Sequence, residues 1–286
     1  MVNQMNPLGI NLWNWTNALG PDCLGLPTKI AEMGFDAVEI PMTQPEVSEP
    51  LAEEIRKTGL RVSLCAAMSP GRDLSNFDPQ VRENTMEYLT KCLETGAKLG
   101  ADVFAGPLYA GGGKRHLLPP DEAEREWELA MQGLRALSAR AREYGVRLAI
   151  EPLNRYRSSV VNTAEQALRM VNDVDDDFLG IHFDTFHAGI EEEDLCGAVE
   201  RVLAAGKMFH FHACANHRGA PGQGFFPWEQ IFGLLRSHGY QGHVTMETFK
   251  PGGLDSGWVQ LGESPDALAL AGLRYLIGAF REKQAI

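Results

Sequence analysis

The chain has 286 residues, 44% of them hydrophobic, and carries 38 acidic against 26 basic side chains, a formal charge of −12. That length and apolar content suffice for one large core, and the negative balance argues against nucleic acid or an anionic membrane as the main partner. No window approaches 18 uninterrupted apolar residues, no basic segment precedes an apolar run at the N-terminus, and Cys23, Cys65, Cys92, Cys196 and Cys214 share no CxxC spacing. The expectation is a cytoplasmic protein with reduced thiols.

Short apolar runs alternate with amphipathic stretches from end to end, the pattern of βα units around a parallel sheet. Residues 8–13 read as the first strand and 24–34 as a helix closed by glycine. Residues 35–40 and 47–58 form the second pair. The third strand is 61–67, followed by a turn-rich loop over 69–78 and a helix over 79–99, where Met86, Leu89, Leu93 and Ala97 recur at helical spacing. Strand four is 102–106. The loop at 109–116, with Gly111, Gly112 and Gly113, reads as long and flexible enough to be a lid. A helix over 121–144 and a strand over 146–151 complete five units.

Three more pairs follow the same rhythm: helix 163–171 with strand 179–184, helix 194–205 with strand 208–212, and helix 228–238 with strand 243–247. A last helix covers 265–282. Eight strands and eight helices without a linker-like shift in composition predict a single (β/α)8 TIM barrel over residues 1–286. An open doubly wound sheet is the alternative, but no GxGxxG follows the first strand.

In such a barrel, catalytic groups sit at the C-terminal strand ends. Glu151, Asp184, His212 and Glu247 occupy the last four of those ends. Three carboxylates converging on one mouth repel unless a cation compensates, and three carboxylates with one imidazole suit Mn²⁺, with Mg²⁺ or Co²⁺ as alternatives. Strand alternation turns His182 and Asp184 to one face, and likewise His210 and His212. The member nearer the strand end lies at the mouth, which leaves His182 and His210 a layer deeper.

These motifs resemble the ketose 3-epimerase group, including D-tagatose and D-allulose 3-epimerases, within the xylose isomerase-like TIM barrels. The resemblance rests on Glu151-Pro-Leu-Asn154-Arg155, Asp184-Thr-Phe-His187, His210-Phe-His212 with Asn216 and Arg218 after it, and Met246-Glu247. It implies one divalent metal held by Glu151, Asp184, His212 and Glu247. It also implies that Glu151 and Glu247 act as the acid/base pair, that His187 and Arg218 contact a sugar substrate, and that the chain assembles as a homodimer or homotetramer. Epimerising a carbon beside a ketone requires loss of a weakly acidic C–H proton to an enediolate and its return on the opposite face, which two carboxylates about a Lewis acid accomplish.

One position departs from the resemblance. Six residues after the strand-five glutamate, those epimerases usually carry a second glutamate, whereas Arg157 stands here. A guanidinium prefers a carboxylate or carbonyl oxygen, so a sugar acid or keto-glycoside is the expected substrate. Further candidate pocket residues are Trp13 and Trp15 after the first strand, Glu39 at the end of the second, as a substrate or ligand-orienting group, and Gly106, where substrate approaches the backbone. Phe249 and Trp228 are candidates to close the pocket. Rival readings are a hydroxypyruvate isomerase-like enzyme, a keto-inositol dehydratase, a zinc apurinic endonuclease and a non-catalytic sugar-binding barrel. The endonuclease would need an Asp-x-His pair after strand seven, and none occurs between His212 and Trp228.

Overall fold

The computed structural model describes residues 6–252 and 258–281. Its strands are β1 (Leu8–Asn11), β2 (Ala37–Met42), β3 (Arg61–Ala66), β4 (Ala101–Gly106), β5 (Arg147–Ile150), β6 (Leu179–Asp184), β7 (Met208–Ala213) and β8 (Val244–Met246). They run parallel in sequence order and close on themselves, with Leu8, Gly9 and Ile10 of β1 opposite Val244, Thr245 and Met246 of β8.

Helices α1 (Leu26–Met33), α2 (Glu49–Thr58), α3 (Pro79–Leu99), α4 (Pro120–Tyr144) and α5 (Ala164–Val174) cover the first strands. Then come α6 (Thr185–Glu191), α7 (Leu195–Ala204), α8 (Trp228–Ser237) and α9 (Pro265–Phe280). Local chemistry sets these limits. Asp78 accepts from the Gln80 N–H to open α3, and Thr163 with Gln166 forms a reciprocal cap on α5. Gly100 and Gly145 end α3 and α4 in left-handed conformations (φ 70° each) that a side chain disfavours.

The strands and most helices fall where the sequence pattern puts them. Two elements differ. The first strand ends at Asn11, because the Asn11 side chain accepts from the Trp13 N–H and turns the next residues into a short 3-10 segment. The second is α6, in a stretch to which the sequence pattern assigns no element. Its seven residues are too few for a periodic signal, and it exists because Asp184 Oδ1 accepts from the Phe186 N–H at 2.6 Å. The expected end of the last helix at residue 282 lies outside the described residues.

Outward strand residues such as Val38, Leu64, Phe104, Ile150 and Phe211 join the large cluster beneath the helices. Inside the barrel, Val103, Ala105 and Ala149 form a separate small cluster against Phe209. Above it the interior is polar: Glu39, Ser63, His182, His210 and His212 are all fully buried. Among the described residues, no helix is long and apolar enough to cross a membrane.

The glycine loop after β4 is stapled, not free. Gly112 N–H donates to the Met68 carbonyl and Gly113 N–H to the Arg157 carbonyl, each at 3.1 Å. Lys114 Nζ lies 2.8 Å from Asp73 and 2.6 Å from both Glu126 and Ser75, with both carboxylates buried. A Cβ on Gly112 would stand 2.7 Å from the Met68 carbonyl oxygen, so the loop lies too close to its neighbour for a side chain. The expectation of a flexible lid is therefore not met.

Candidate active site

Each strand-end side chain is held by its own backbone setting. Glu151 follows β5; its N–H donates to the Gly106 carbonyl at 3.0 Å, and its carbonyl accepts from the buried Tyr109 hydroxyl at 2.9 Å. Asp184 ends β6 and spends Oδ1 on capping α6, which leaves Oδ2 turned to the interior. His212 lies within β7, and Glu247 directly follows β8. One potential ligand atom each from Asp184, His212 and Glu247 lie within 4.8 Å of one another, and the same holds for Glu151, Asp184 and His187. Asp184 joins the two groups. The four strand-end residues thus meet in one buried cluster.

The charges in this cluster are unequal. Burial, then the charges of Asp184 and Glu247, push the Glu151 carboxyl well above the usual carboxylate range. Burial likewise raises Glu247, against the pull of His212 and Arg218. Asp184 is buried too, but Arg218 and the nearby His212 and His187 rings together hold it well below its ordinary value. Arg218 Nη1 bridges Asp184 Oδ2 at 2.9 Å and Glu247 Oε2 at 2.8 Å, while its guanidinium stacks 3.9 Å from the Phe186 ring centre. One guanidinium faces three carboxylates.

His212 fits a metal ligand. Its Nε2 meets the Glu39 carboxylate at 2.7 Å, and its Nδ1, buried and without a hydrogen-bond partner, points at Glu247 Oε2 (3.6 Å) and Asp184 Oδ2 (3.8 Å). An orphaned imidazole nitrogen facing buried carboxylates is the donor set a divalent cation completes. Glu151 adds an oxygen from the next strand. Three oxygens and one nitrogen favour a hard or borderline ion over a closed structural zinc site.

Above the cluster opens a cavity of about 400 Å³, lined by Glu151, Glu247, His187, Arg218, Trp13, Phe249 and Arg157 together with Cys65, Met68, Pro70, Pro107 and Leu153. His187 stands on the first turn of α6. Its Nδ1 accepts from the Asn154 N–H at 3.1 Å and faces the Asn154 side-chain amide at 2.9 Å, and Asn154 Oδ1 is itself fixed by the Tyr156 N–H. On its other side the ring's Nε2 faces the Arg218 Nη2 donor at 3.0 Å and lies 3.7 Å from Glu151 Oε1. His187 and Arg218 are thereby held together at the cavity floor. Trp13 stacks on Phe249, with ring centres 6.2 Å apart, and the Thr248 hydroxyl bonded to Asn14 at 2.6 Å fixes that wall.

Four sequence candidates fall outside the cavity lining. Glu39 lies a layer deeper, where its two oxygens meet His210, His212, Asn11 and Ser63, so it orients protein groups and not substrate. Burial opposes its charge, but His212 and His210 keep it ionised and well below the usual range. Gly106 (φ 117°) is required because a Cβ there would lie 3.0 Å from the Ala66 backbone nitrogen; the close approach is strand β3, not substrate. Trp15 donates Nε1–H to Asp266 at 2.6 Å and anchors the start of α9. Trp228 stacks on Phe232 in the core.

The deeper histidines behave as expected. Burial keeps the His182 ring neutral and pushes His210 down to about 4. The sequence reading missed Cys65 near the end of β3 and the loop residues Met68, Pro70, Pro107 and Leu153, apolar or small side chains with no pattern to announce them.

Comparison with known proteins was decided over most of the chain. Residues 27–278 match the family model for the xylose isomerase-like TIM barrel. This protein belongs to that family. The ketose 3-epimerase of Arthrobacter globiformis is 33% identical over 227 residues, 77% of this chain and 75% of that protein. The 3-dehydro-D-guloside 4-epimerase of Escherichia coli is 32% identical over 226 residues, 76% of this chain and 84% of that protein. A solved L-ribulose 3-epimerase superposes with a TM-score of 0.88 at 28% identity, covering 96% of this chain and 94% of its own. The chain is accordingly an enzyme of the isomerase class, a carbohydrate epimerase by its relatives, and its barrel mouth carries the residues to hold a divalent metal.

Proposed function

We propose that the protein inverts the carbon adjacent to the ketone of a ketose, C3, with Glu151 and Glu247 as its two acid/bases. The observation that carries this reading is their placement: two buried carboxylates at the ends of β5 and β8 flank Asp184 and His212 on the strands between, and burial raises both above ordinary carboxylates in the metal-free protein. Such carboxyl groups exchange protons with a weak carbon acid more readily than ordinary ones. Glu151, Asp184, His212 and Glu247 would hold a divalent cation, Mn²⁺ by the donor set, whose Lewis acidity offsets the charge of an enediolate.

One glutamate takes the C3 proton from one face, and the other returns a proton on the opposite face. Their roles exchange with the direction of reaction. The Arg218 guanidinium, held against His187 at the cavity floor, grips a substrate oxygen beside that ring and fixes the sugar between the two bases. Trp13, stacked on Phe249, offers an apolar wall to the sugar's C–H surface.

A second reading, the same chemistry beside the ketone of a keto-glycoside or sugar acid, is favoured by Arg157. Arg157 borders the cavity, and its carbonyl accepts from the Gly113 N–H. The test of both is a panel of free ketoses, keto-acids and keto-glycosides with added Mn²⁺ in deuterated water, followed by proton NMR. Exchange and inversion at the carbon beside the ketone are expected. Exchange at C1 or C2 with aldose formation would replace this reading by an aldose–ketose isomerase, and net loss of water by a dehydratase.

A further inference from the structure

Glu39 has four side-chain partners and does not line the cavity above the cluster. It is wholly buried on β2. Oε1 accepts from Asn11 Nδ2 of β1 at 2.8 Å and meets His212 Nε2 of β7 at 2.7 Å. Oε2 accepts from Ser63 Oγ of β3 at 3.0 Å and lies 2.7 Å from His210 Nε2 of β7. Three strands, β1, β3 and β7, are thereby tied to this one side chain of β2 across the barrel interior. A carboxylate of this kind only accepts, so the neighbouring nitrogen of His212 must carry a proton. In the neutral ring that a metal requires there is one N–H, so the Nδ1 lone pair is the one that faces Glu247 and Asp184.

We propose that Glu39 is a positioning residue for the metal: it locks His212 as the Nε2–H tautomer, aims the Nδ1 lone pair at the cation position, and strengthens that nitrogen as a donor. The inference rests on Asp184, His212 and Glu247 being ligands, as given under Proposed function. Partners behind a ligating histidine commonly set metal affinity by such means. His210, on the other Glu39 oxygen, completes the grip and keeps the carboxylate from rotating away from His212.

Glu39→Gln is the decisive variant. The amide presents one oxygen and one NH₂ to four donors, so His212 loses its acceptor or is driven to the Nδ1–H tautomer, which cannot bind metal. Metal-stripped wild type and variant are titrated with Mn²⁺ and with Mg²⁺, and free Mn²⁺ is read by electron paramagnetic resonance. The variant is expected to bind Mn²⁺ about 10- to 100-fold more weakly. Mg²⁺, which depends less on nitrogen, should weaken less, so the Mn²⁺/Mg²⁺ preference narrows. A Mn²⁺ affinity within about twofold of wild type, or equal weakening of both ions, overturns the proposal. If Glu39→Gln does not fold, Ser63→Ala keeps the carboxylate but frees one side of it, with an expected loss of about threefold; no loss overturns the proposal equally. Wild type that takes up no Mn²⁺ instead overturns the ligand set itself, and this inference with it.

Discussion

Arg218 Nη1 lies 2.8 Å from Oε2 of Glu247, so the protein places a fixed cation against one of its two proposed bases. The same nitrogen reaches Asp184, and Arg218 itself adopts a left-handed backbone (φ 64°). Arg218→Gln is expected to lower kcat/KM by about 10- to 100-fold, the size of a lost charge-assisted hydrogen bond. It also leaves Asp184 and Glu247 without their guanidinium, so the Tm difference between metal-free and metal-loaded protein should widen relative to wild type. Steady-state kinetics and paired thermal melts measure the two effects.

The two glutamates act on opposite faces of the substrate in the proposed mechanism. Glu151→Gln and Glu247→Gln should each lower kcat by about 10³-fold, within the range for a lost acid/base group. Each variant should also incorporate solvent deuterium at C3 from one epimer faster than from the other, and the favoured epimer should differ between them. Full turnover by either variant would sink the two-base mechanism.

Lys114 joins the loop after β4 to Asp73 and Glu126, and both acids are nearly sealed from solvent. Lys114→Met strands two buried carboxylates. A loss of about 3 kcal/mol in unfolding free energy is expected from breaking such a pair, read as a fall in the urea midpoint. Proteolytic nicking near residues 111–116 should appear in the variant and not in the wild type.

At the opposite end of the barrel, Asp102 holds His243 Nε2 at 2.8 Å and Arg61 at 2.7 Å. Burial raises the Asp102 carboxyl, but the His243 hydrogen bond and Arg61 prevail and keep it below its ordinary value. A depressed carboxyl contributes stability that is complete above the unfolded pKa, about 4, and is lost as pH falls through the lower folded value. Thermal melts of Asp102→Asn should therefore show a shallower decline below about pH 4 than wild type. An unchanged acid limb would contradict the assignment.

The barrel and its four strand-end groups were legible because each strand repeats one local message: an apolar run closed by a polar side chain. Alternation also placed His182 and His210 correctly, since period two in a strand leaves little freedom. Three-dimensional convergence was not legible. Nothing near Glu39 in the chain announces that β7 will bring two imidazoles to it from 171 and 173 residues away. Trp13 and Trp15 looked alike in sequence, yet one borders the cavity and the other bonds Asp266. The cavity walls at Met68, Pro70, Pro107 and Leu153 lie in loops whose residue types suit many environments.

That division has an evolutionary reading. The acids and the histidine stand on or immediately after strands, whereas Met68, Pro70, Pro107, Leu153 and Arg157 stand on loops. Loop substitutions can reshape what enters the cavity while proton transfer stays anchored to the sheet. A library confined to those five positions is the natural place to retrain this enzyme toward another sugar.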